Sequence, residues 1–171
     1  MITWRLARFE ELTPGEVHEI FRARAAVFVV EQGCVFQDLD GADPECWHLA
    51  GRETLALVAY CRLVPPGRKF AEPSIGRVIT PEVERGKGYG KALVREALAR
   101  AETLWPGHAI RIGAQCHLER FYGVFGFVAA SAPYDEDGIA HIEMLRQPSK
   151  TAGERSEHVP RRDAPASGQF R

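Results

Sequence analysis

The sequence predicts a single domain of the α/β (α+β) class with a mixed sheet. The chain of 171 residues suits one domain with its own core. Short segments of strand-like alternation are interspersed with two segments of helical apolar spacing. Several strand-like segments follow one another directly across short turns, so their sheet cannot be wholly parallel.

The first half of the chain is expected to contain a strand, a helix and a pair of strands. Weak alternation over residues 3–9 indicates an opening strand. Thr13 and Pro14 are typical of a helix N-cap and first helical residue, and apolar residues at helical spacing continue to Phe28. Residues 47–50 and 54–64 then form a predicted strand pair around the turn Gly-Arg-Glu.

The second half begins with the segment SIGRVIT, residues 74–80, which is a predicted strand. The glycine inside it indicates a bulge or a close backbone approach. The elements expected after it are a helix over 91–104, a strand over 109–114, a short helix over 118–125 and a closing strand pair over 127–132 and 139–146.

The composition favours a cytoplasmic protein that binds neither nucleic acid nor membrane. The net charge is −1 and the basic residues form no stripe. The longest apolar run, residues 25–30, is too short for a bilayer, and the N-terminus lacks a signal-peptide pattern. The four cysteines contain no CxxC pair, which predicts free thiols and no metal site.

The end of the chain differs from the rest. Residues 147–171 contain almost no large apolar side chains, so they cannot bury enough surface to offset the entropy of ordering. We therefore expect a folded domain over residues 1–146 and a disordered polar tail over 147–171. The oligomeric state is not determined by the sequence, which leaves a homodimer open.

A glycine-rich stretch, Arg85 to Gly90 (RGKGYG), stands at the start of the long predicted helix. Glycines there leave the backbone N–H groups uncovered, and a helix N-terminus favours an anion. A P-loop is excluded because Lys91 is followed by Ala92 and the glycine spacing is one residue short. A dinucleotide fingerprint fits poorly because its third glycine is missing.

The stretch matches the pattern [RQ]xxGxG in full, and a second motif, FYGVFGF, follows at residues 121–127. With these two motifs in this order, residues 1–146 resemble the GNAT superfamily of N-acetyltransferases. The segments RARAAVFVVEQGCVFQDLDGAD, GRVIT and YDEDGIAHIEM further resemble its ElaA family. The resemblance implies the GNAT acyl-CoA N-acyltransferase fold, with a mostly antiparallel central sheet and helices on both faces.

The resemblance also implies acetyl-CoA as cosubstrate and a set of residues that bind it. The backbone of the glycine-rich stretch would hold the pyrophosphate, aided by the helix dipole and by nearby basic side chains. The strand before it would pair with the pantetheine arm, and a backbone N–H there could steady an oxyanion. The predicted cofactor-binding residues are Val78, Ile79, Thr80, Arg85, Gly86, Lys87, Gly88, Tyr89, Gly90, Lys91 and Gln115, the last where the family often has asparagine.

Tyr122, in the second motif, is the predicted general acid. In the family, a tyrosine at this place protonates the departing thiolate. Its ordinary pKa of about 10 keeps it protonated at neutral pH, as an acid must be. The alternative is a core aromatic packed beside Phe121 and Phe125.

The acceptor is expected to be an amine of a small molecule or peptide, which must lose a proton before it attacks. Glu31 is the leading candidate for the acceptor site, because a carboxylate at a helix C-terminus opposes the dipole unless something compensates it. Further candidates for the base are His48 and His141 in strands and Asp38 and Asp40 in an acidic loop; each could equally be structural.

Two classes of function follow. The first is an enzyme that transfers acetyl from acetyl-CoA to a primary amine by direct attack in a ternary complex, with a covalent route through Cys116 left open. The second is a non-catalytic acyl-CoA-binding module of the same fold, serving as a sensor or interaction domain. The intact RxxGxG pattern and Tyr122 favour the enzyme.

Overall fold

The computed structural model describes residues 1–149 of the chain. The predicted polar tail lies outside the described residues apart from its first three. The helices are α1 (Pro14–Ala25), continued by a π-helical segment (Ala26–Glu31), α2 (Tyr89–Leu104) and α3 (Glu119–Gly123). The strands are β1 (Ile2–Arg8), β2 (Trp47–Glu53), β3 (Ala56–Val64), β4 (Ser74–Ile79), β5 (Ile110–Gln115), β6 (Val128–Ala129), β7 (Tyr134–Glu136) and β8 (Ile139–Arg146).

The eight strands form one sheet in the order β1-β2-β3-β4-β5-β8-β6, with β7 paired to β8. Among the described residues, every neighbouring pair is antiparallel except β4 and β5. Helix α1 packs on one face, where Ile20 and Val27 join Tyr60 and Ile79 in a core cluster. Helices α2 and α3 cover the opposite face and the larger cluster. The predicted mixed α/β class, with helices on both faces, is confirmed.

Three predicted boundaries were wrong. The segment 51–53 belongs to β2, and the turn to β3 lies at Thr54 and Leu55. The predicted helix over 118–125 is a short 3₁₀ turn followed by the five-residue α3. The segment YDEDG is not a simple connection, because its first three residues form β7. A period of two over three residues is too short a signal to separate a strand from a turn.

Strand β4 contains the irregularity that its glycine predicted. Arg62 of β3 pairs with Gly76, whereas Tyr60 pairs with Ile79, so β4 has one extra residue between these pairs. Arg77 lies within this bulge with φ of +53°. A side chain in the left-handed region costs about 1–2 kcal/mol, so other interactions must hold this backbone.

The bulged strand also parts from its neighbour on the other side. Strands β4 and β5 share one register position, Ser74 with Arg111, and the Arg111 N–H donates to the Pro73 carbonyl at 3.0 Å. Beyond it, β5 pairs with β8 over six residues, while β4 continues alongside β3. The two strands therefore diverge and open the middle of the sheet.

A charge network of three arginines and three aspartates holds the loop of residues 32–44, here called the acidic loop, against the sheet. Arg24 is fully buried, and its guanidinium lies 3.0 Å from Asp38 and 2.6 Å from Asp43. The four buried members, Arg24, Arg62, Asp38 and Asp43, each have an oppositely charged partner, as burial of a charge requires. The other pairs join Arg62 to Asp40 and Asp43, and Arg77 to Asp38 and Asp40.

His48 extends this network and is almost completely buried. Its Nε2 lies 3.0 Å from the Asp43 carbonyl, which can only accept, so Nε2 carries the proton. Its Nδ1, 2.8 Å away from the Tyr60 hydroxyl, therefore accepts from that group. Burial lowers the pKa of His48, so the imidazole is neutral and both nitrogens are occupied.

We expect His48 to make folding sensitive to pH. The unfolded chain protonates it at a pKa of about 6.5 but the folded chain does so only at lower pH, so stability falls as pH drops from about 7 to about 5. Urea unfolding at pH 5, 6 and 7 should show a flatter pH dependence for His48→Gln, by at most ~1.4 kcal/mol per pH unit. The exposed His18→Gln variant should keep the wild-type slope. Equal slopes for His48→Gln and wild type would contradict a buried neutral imidazole.

Candidate active site

A cleft of about 440 Å³ occupies the gap between β4 and β5, within the size range of small-molecule sites. It reaches both faces of the sheet, because its lining includes Val27 and Phe28 at the end of the first helix on one face, and Leu118 before α3 and Tyr122 within α3 on the other. A passage through a sheet is possible only where two strands separate. The divergence of β4 and β5 therefore creates this site.

Tyr122 is brought to the cleft by α3. Its ring is 7% exposed and packs edge-on against Phe121 and Phe127, with ring centroids 5.1 and 6.0 Å away. Burial raises the pKa of the Tyr122 phenol well above its ordinary value, which keeps it protonated at neutral pH. Its hydroxyl makes no hydrogen bond to any group in residues 1–149. The side chain is thus both a core aromatic and an uncommitted donor in the cleft lining.

The glycine-rich stretch forms the entry to α2. Gly86 and Gly88 have φ of +78° and +85°, a conformation that favours glycine, and a Cβ on either would face open space. Gly88 is the N-cap and supplies no side-chain cap, so the first N–H groups of α2 lack such a partner. A Cβ on Gly90 would lie 3.6 Å from Thr80 Oγ1 and 3.8 Å from Phe121 Cζ. The start of α2 therefore packs beside the end of β4 and beside α3.

The basic side chains of this stretch already have partners. Arg85 forms a two-pronged ion pair with Glu31, at 2.6 and 2.7 Å, and its Nε donates to the Thr80 carbonyl at 3.1 Å. Lys87 pairs with Glu84 at 2.8 Å. The hydrogen bond to Arg85 lowers the pKa of Glu31. Arg85 thus supplies the compensation that a carboxylate at the end of the first helix requires.

The two remaining polar side chains at the start of α2 differ in their contacts. Tyr89 donates to Glu53 at 2.5 Å, and this hydrogen bond raises the pKa of Tyr89 to about 12. Lys91 is exposed and has no ion pair within the described part of the chain. Among residues 1–149, Lys91 is therefore an unneutralised basic side chain directly after the glycine-rich stretch, whereas Arg85 and Lys87 are paired.

His141 and Gln115 lie side by side in the cleft lining, as cross-strand partners on β8 and β5. The His141 Nδ1 lies 2.8 Å from the Ile139 carbonyl, which can only accept, so Nδ1 carries the proton. Nε2 then holds the lone pair, and it has no hydrogen bond to any described residue. Gln115 donates to Gln32 at 3.2 Å. This arrangement leaves a basic nitrogen available on one wall of the cleft.

Strand alternation places this nitrogen and Tyr122 on opposite faces of the sheet. Ala114 and Ile142 belong to the core cluster under α2, together with Tyr122. Their neighbours Gln115 and His141 therefore point to the face of α1. A hydroxyl donor and an imidazole acceptor thus approach the cleft from its two sides.

The structure distributes the other predicted residues differently. Val78 lines the cleft, Ile79 is buried under α1, and Thr80 contacts Arg85. Neither Glu31 nor His48 lines the cleft, and their nitrogen or oxygen atoms are held by the partners described above. Asp40 lines the cleft, whereas Asp38 is buried and is not part of the lining; both form ion pairs with arginine.

Sequence analysis missed three side chains near the cleft: Lys69, Tyr134 and Glu136. Lys69 lies in the loop between β3 and β4, and Glu136 ends β7; both line the cleft. The Tyr134 hydroxyl lies 3.4 Å from Glu136. No motif includes them, because separate segments are joined here by the sheet. The polar segment YDEDG between the two predicted closing strands was the available signal, but a polar connection by itself is typical of a turn.

Within residues 1–149, no helix combines the length and apolar character needed to cross a bilayer. The four cysteines are free thiols, of which Cys34, Cys46 and Cys61 are buried.

Comparison with known proteins identifies the domain. Residues 45–147 match the family model described as "Acetyltransferase (GNAT) domain". A UPF0039 protein of Synechocystis is 43% identical over 145 residues, covering 84% of this chain and 94% of the relative. Protein ElaA of Escherichia coli is 39% identical over 149 residues, covering 86% of this chain and 97% of the relative.

Solved structures agree with this assignment. The crystal structure of an acyl-CoA N-acyltransferase from Pseudomonas aeruginosa has a TM-score of 0.81 at 39% identity, covering 85% of this chain and 99% of that one. The crystal structure of Escherichia coli ElaA also has a TM-score of 0.81, at 38% identity, covering 86% and 100%. This chain therefore belongs to the GNAT acetyltransferase family, and its close relatives include ElaA and the UPF0039 proteins.

Proposed function

We propose that this protein is an acetyl-CoA-dependent N-acetyltransferase acting on a primary amine by direct attack in a ternary complex. The observation that carries the proposal is the continuity between two features. Gly90, at the uncapped start of α2, packs against Thr80 and Phe121, and Tyr122 follows Phe121 into the cleft. An anion bound at the start of α2 would therefore lie next to α3, the helix that carries the protonated phenol of Tyr122.

The donor would bind along this path. The backbone N–H groups of residues 86–90 would receive the pyrophosphate, with the dipole of α2 and the Lys91 ammonium adding favourable charge. The edge of β4 that β5 leaves unpaired, from Val78 to Thr80, would receive the amide groups of the pantetheine arm. Gln115 supplies an amide on the opposite wall of the cleft. The thioester supplies the activated acyl carbon.

The acceptor would enter from the face of α1. The His141 Nε2 lone pair takes a proton from the ammonium, directly or through water, and the freed amine attacks the thioester carbon. A new C–N bond forms and the C–S bond breaks. Tyr122 gives its proton to the departing thiolate, and the second proton lost by the nitrogen returns to the phenolate through solvent. Cys116 does not line the cleft, which favours direct attack over an acyl-cysteine route. The unpaired thiols support a reducing compartment, the cytoplasm, for this reaction.

The proposal is tested by CoA release from acetyl-CoA across a panel of amines and peptides, with binding of acetyl-CoA measured by calorimetry. Turnover with at least one amine, and none without it, is the expected result. Binding without turnover across the panel would instead identify a non-catalytic acyl-CoA-binding module.

Tyr122→Phe should lower kcat by about 10²-fold, the typical contribution of a general acid, with acetyl-CoA affinity unchanged. The hydroxyl has no hydrogen bond within the described residues, so the variant should unfold at the wild-type temperature. Steady-state kinetics, calorimetry and thermal unfolding measure the three quantities. Wild-type turnover would remove Tyr122 from the chemistry.

His141→Gln should lower kcat/KM for the amine by about 10²-fold while acetyl-CoA binding persists, because an amide cannot take up the proton. The matched control is His117→Gln, an exposed histidine outside the cleft lining. A loss of activity shared by both variants, or by neither, would argue against His141 as the base.

Gly88→Ala should weaken acetyl-CoA binding by about tenfold, because a methyl group at this position would stand in the open space before the N–H groups of α2. Gly107→Ala is the matched control: its φ is +76°, its Cβ would also face open space, and it lies beyond the opposite end of α2. Both variants carry the same backbone strain, of about 1 kcal/mol. Calorimetry should separate them; equal dissociation constants would move the anion site elsewhere.

A further inference from the structure

The charged side chains of the cleft fall into two groups. Arg62, Arg77 and Asp40 are neutralised within the network that holds the acidic loop. Three further charged residues line the cleft without an ion pair to a lysine, arginine, aspartate or glutamate in residues 1–149: Lys69, Glu136 and Asp137. Since the acidic loop is already neutralised, its charge offers little to a cationic substrate. These three residues, one cation and two carboxylates, decide which ligand the cleft complements.

Lys69 reaches the cleft beside Gly113 of β5, two residues beyond the position where β4 and β5 pair. A Cβ placed on Gly113 would lie 3.6 Å from Lys69 Nζ and 3.1 Å from the Tyr134 hydroxyl. Both polar groups therefore approach the same glycine, whose missing side chain allows them to come this close to the backbone. The Phe70 ring, 5.3 Å from Lys69 Nζ, supports the ammonium from the loop side.

Glu136 lies on the other side of Tyr134. Its Oε2 is 3.4 Å from the Tyr134 hydroxyl and 4.0 Å from His141 Nδ1. Burial raises the pKa of Tyr134 to about 12, so this hydroxyl remains a neutral donor between the two charges. A cation, a hydroxyl and a carboxylate thus follow one another along the wall, ending at the proposed base.

We propose that the acceptor is an amine that also carries a carboxylate, an amino acid or short peptide, with its carboxylate on Lys69 and its ammonium near Glu136 and His141. This inference rests on the proposed acetyl transfer and names its substrate class. A zwitterion gives Lys69 an anionic partner and the carboxylates a cationic one, whereas a simple amine leaves Lys69 without a partner. The carboxylate also fixes the orientation, because it draws that end of the molecule to Lys69 beside Gly113 and leaves the nitrogen at His141.

The test compares amino acids with their carboxamides, which keep the shape and the amine but lose the negative charge. Suitable pairs are β-alanine with β-alaninamide, lysine with lysinamide, and glycylglycine with its amide. For wild type we expect kcat/KM to favour the free acid in at least one pair by about tenfold or more, the usual loss when a charge-assisted hydrogen bond is removed. A preference for β-alanine or lysine would indicate a free amino acid as the acceptor, and a preference for glycylglycine would indicate a short peptide.

Lys69→Met should bring the acid-to-amide ratio close to one. Arg68→Met is the matched control: it removes the same charge from the neighbouring position, where the side chain pairs with Glu45 outside the cleft lining, and should keep the wild-type ratio. A ratio near one in wild type, or a high ratio that survives Lys69→Met, would overturn the proposal.

A third arm replaces acetyl-CoA by succinyl-CoA with ethylamine as acceptor. A dependence on Lys69 confined to this arm would assign the carboxylate to the donor and overturn the proposal. If no amine is turned over, the catalytic proposal fails, and calorimetry of β-alanine and β-alaninamide with wild type and Lys69→Met decides the binding site by the same ratio.

Discussion

The separation of β4 from β5 is the constraint on which the rest of the site depends. The two strands touch at one register position, and the gap beyond it becomes a cleft that reaches both faces of the sheet. The bulge in β4 lies just beyond that position. At Arg77 it has a left-handed backbone, which is unfavourable by itself. Ion pairs from Arg77 to Asp38 and Asp40 help to hold that conformation, so the buried charges preserve an opening that regular pairing would close.

This relation explains why a small domain keeps so many charges inside. Buried ion pairs contribute little net stability, because desolvation offsets most of their attraction. Their value here is positional: Arg24 and Arg62 anchor the acidic loop, which forms one wall of the cleft. His48 serves the same structure, since its fixed tautomer joins Tyr60 to the backbone of that loop.

The cleft divides the proposed reaction between two faces. The face of α2 offers uncapped N–H groups and a buried phenol, both suited to a phosphorylated thioester and its leaving group. The face of α1 offers an imidazole with a free lone pair, set beside a lysine and a glutamate that lack charged partners among the described residues. In the proposed reaction, donor and acceptor would therefore meet at the opening without sharing a binding surface. The Arg85–Glu31 ion pair joins the end of the first helix to the glycine-rich stretch, and so it links elements on the two faces of the sheet.

The sequence by itself determined the fold class, the helix start at Thr13 and the family, and it indicated an irregularity in β4 that the structure shows to be a bulge. These depend on local spacing and on two contiguous motifs. It also indicated Tyr122 and His141 as candidate site residues, but it could not rank His141 above His48, because both are strand histidines. Only the packing shows that His48 is enclosed by hydrogen bonds whereas His141 lines the cleft. Lys69 and Glu136 were not predicted as site residues, for the same reason. They lie 67 positions apart and carry no motif, and the sheet alone brings them to one wall. Charge compensation between distant segments is a property of the tertiary structure, and it decided which ionisable groups remain available.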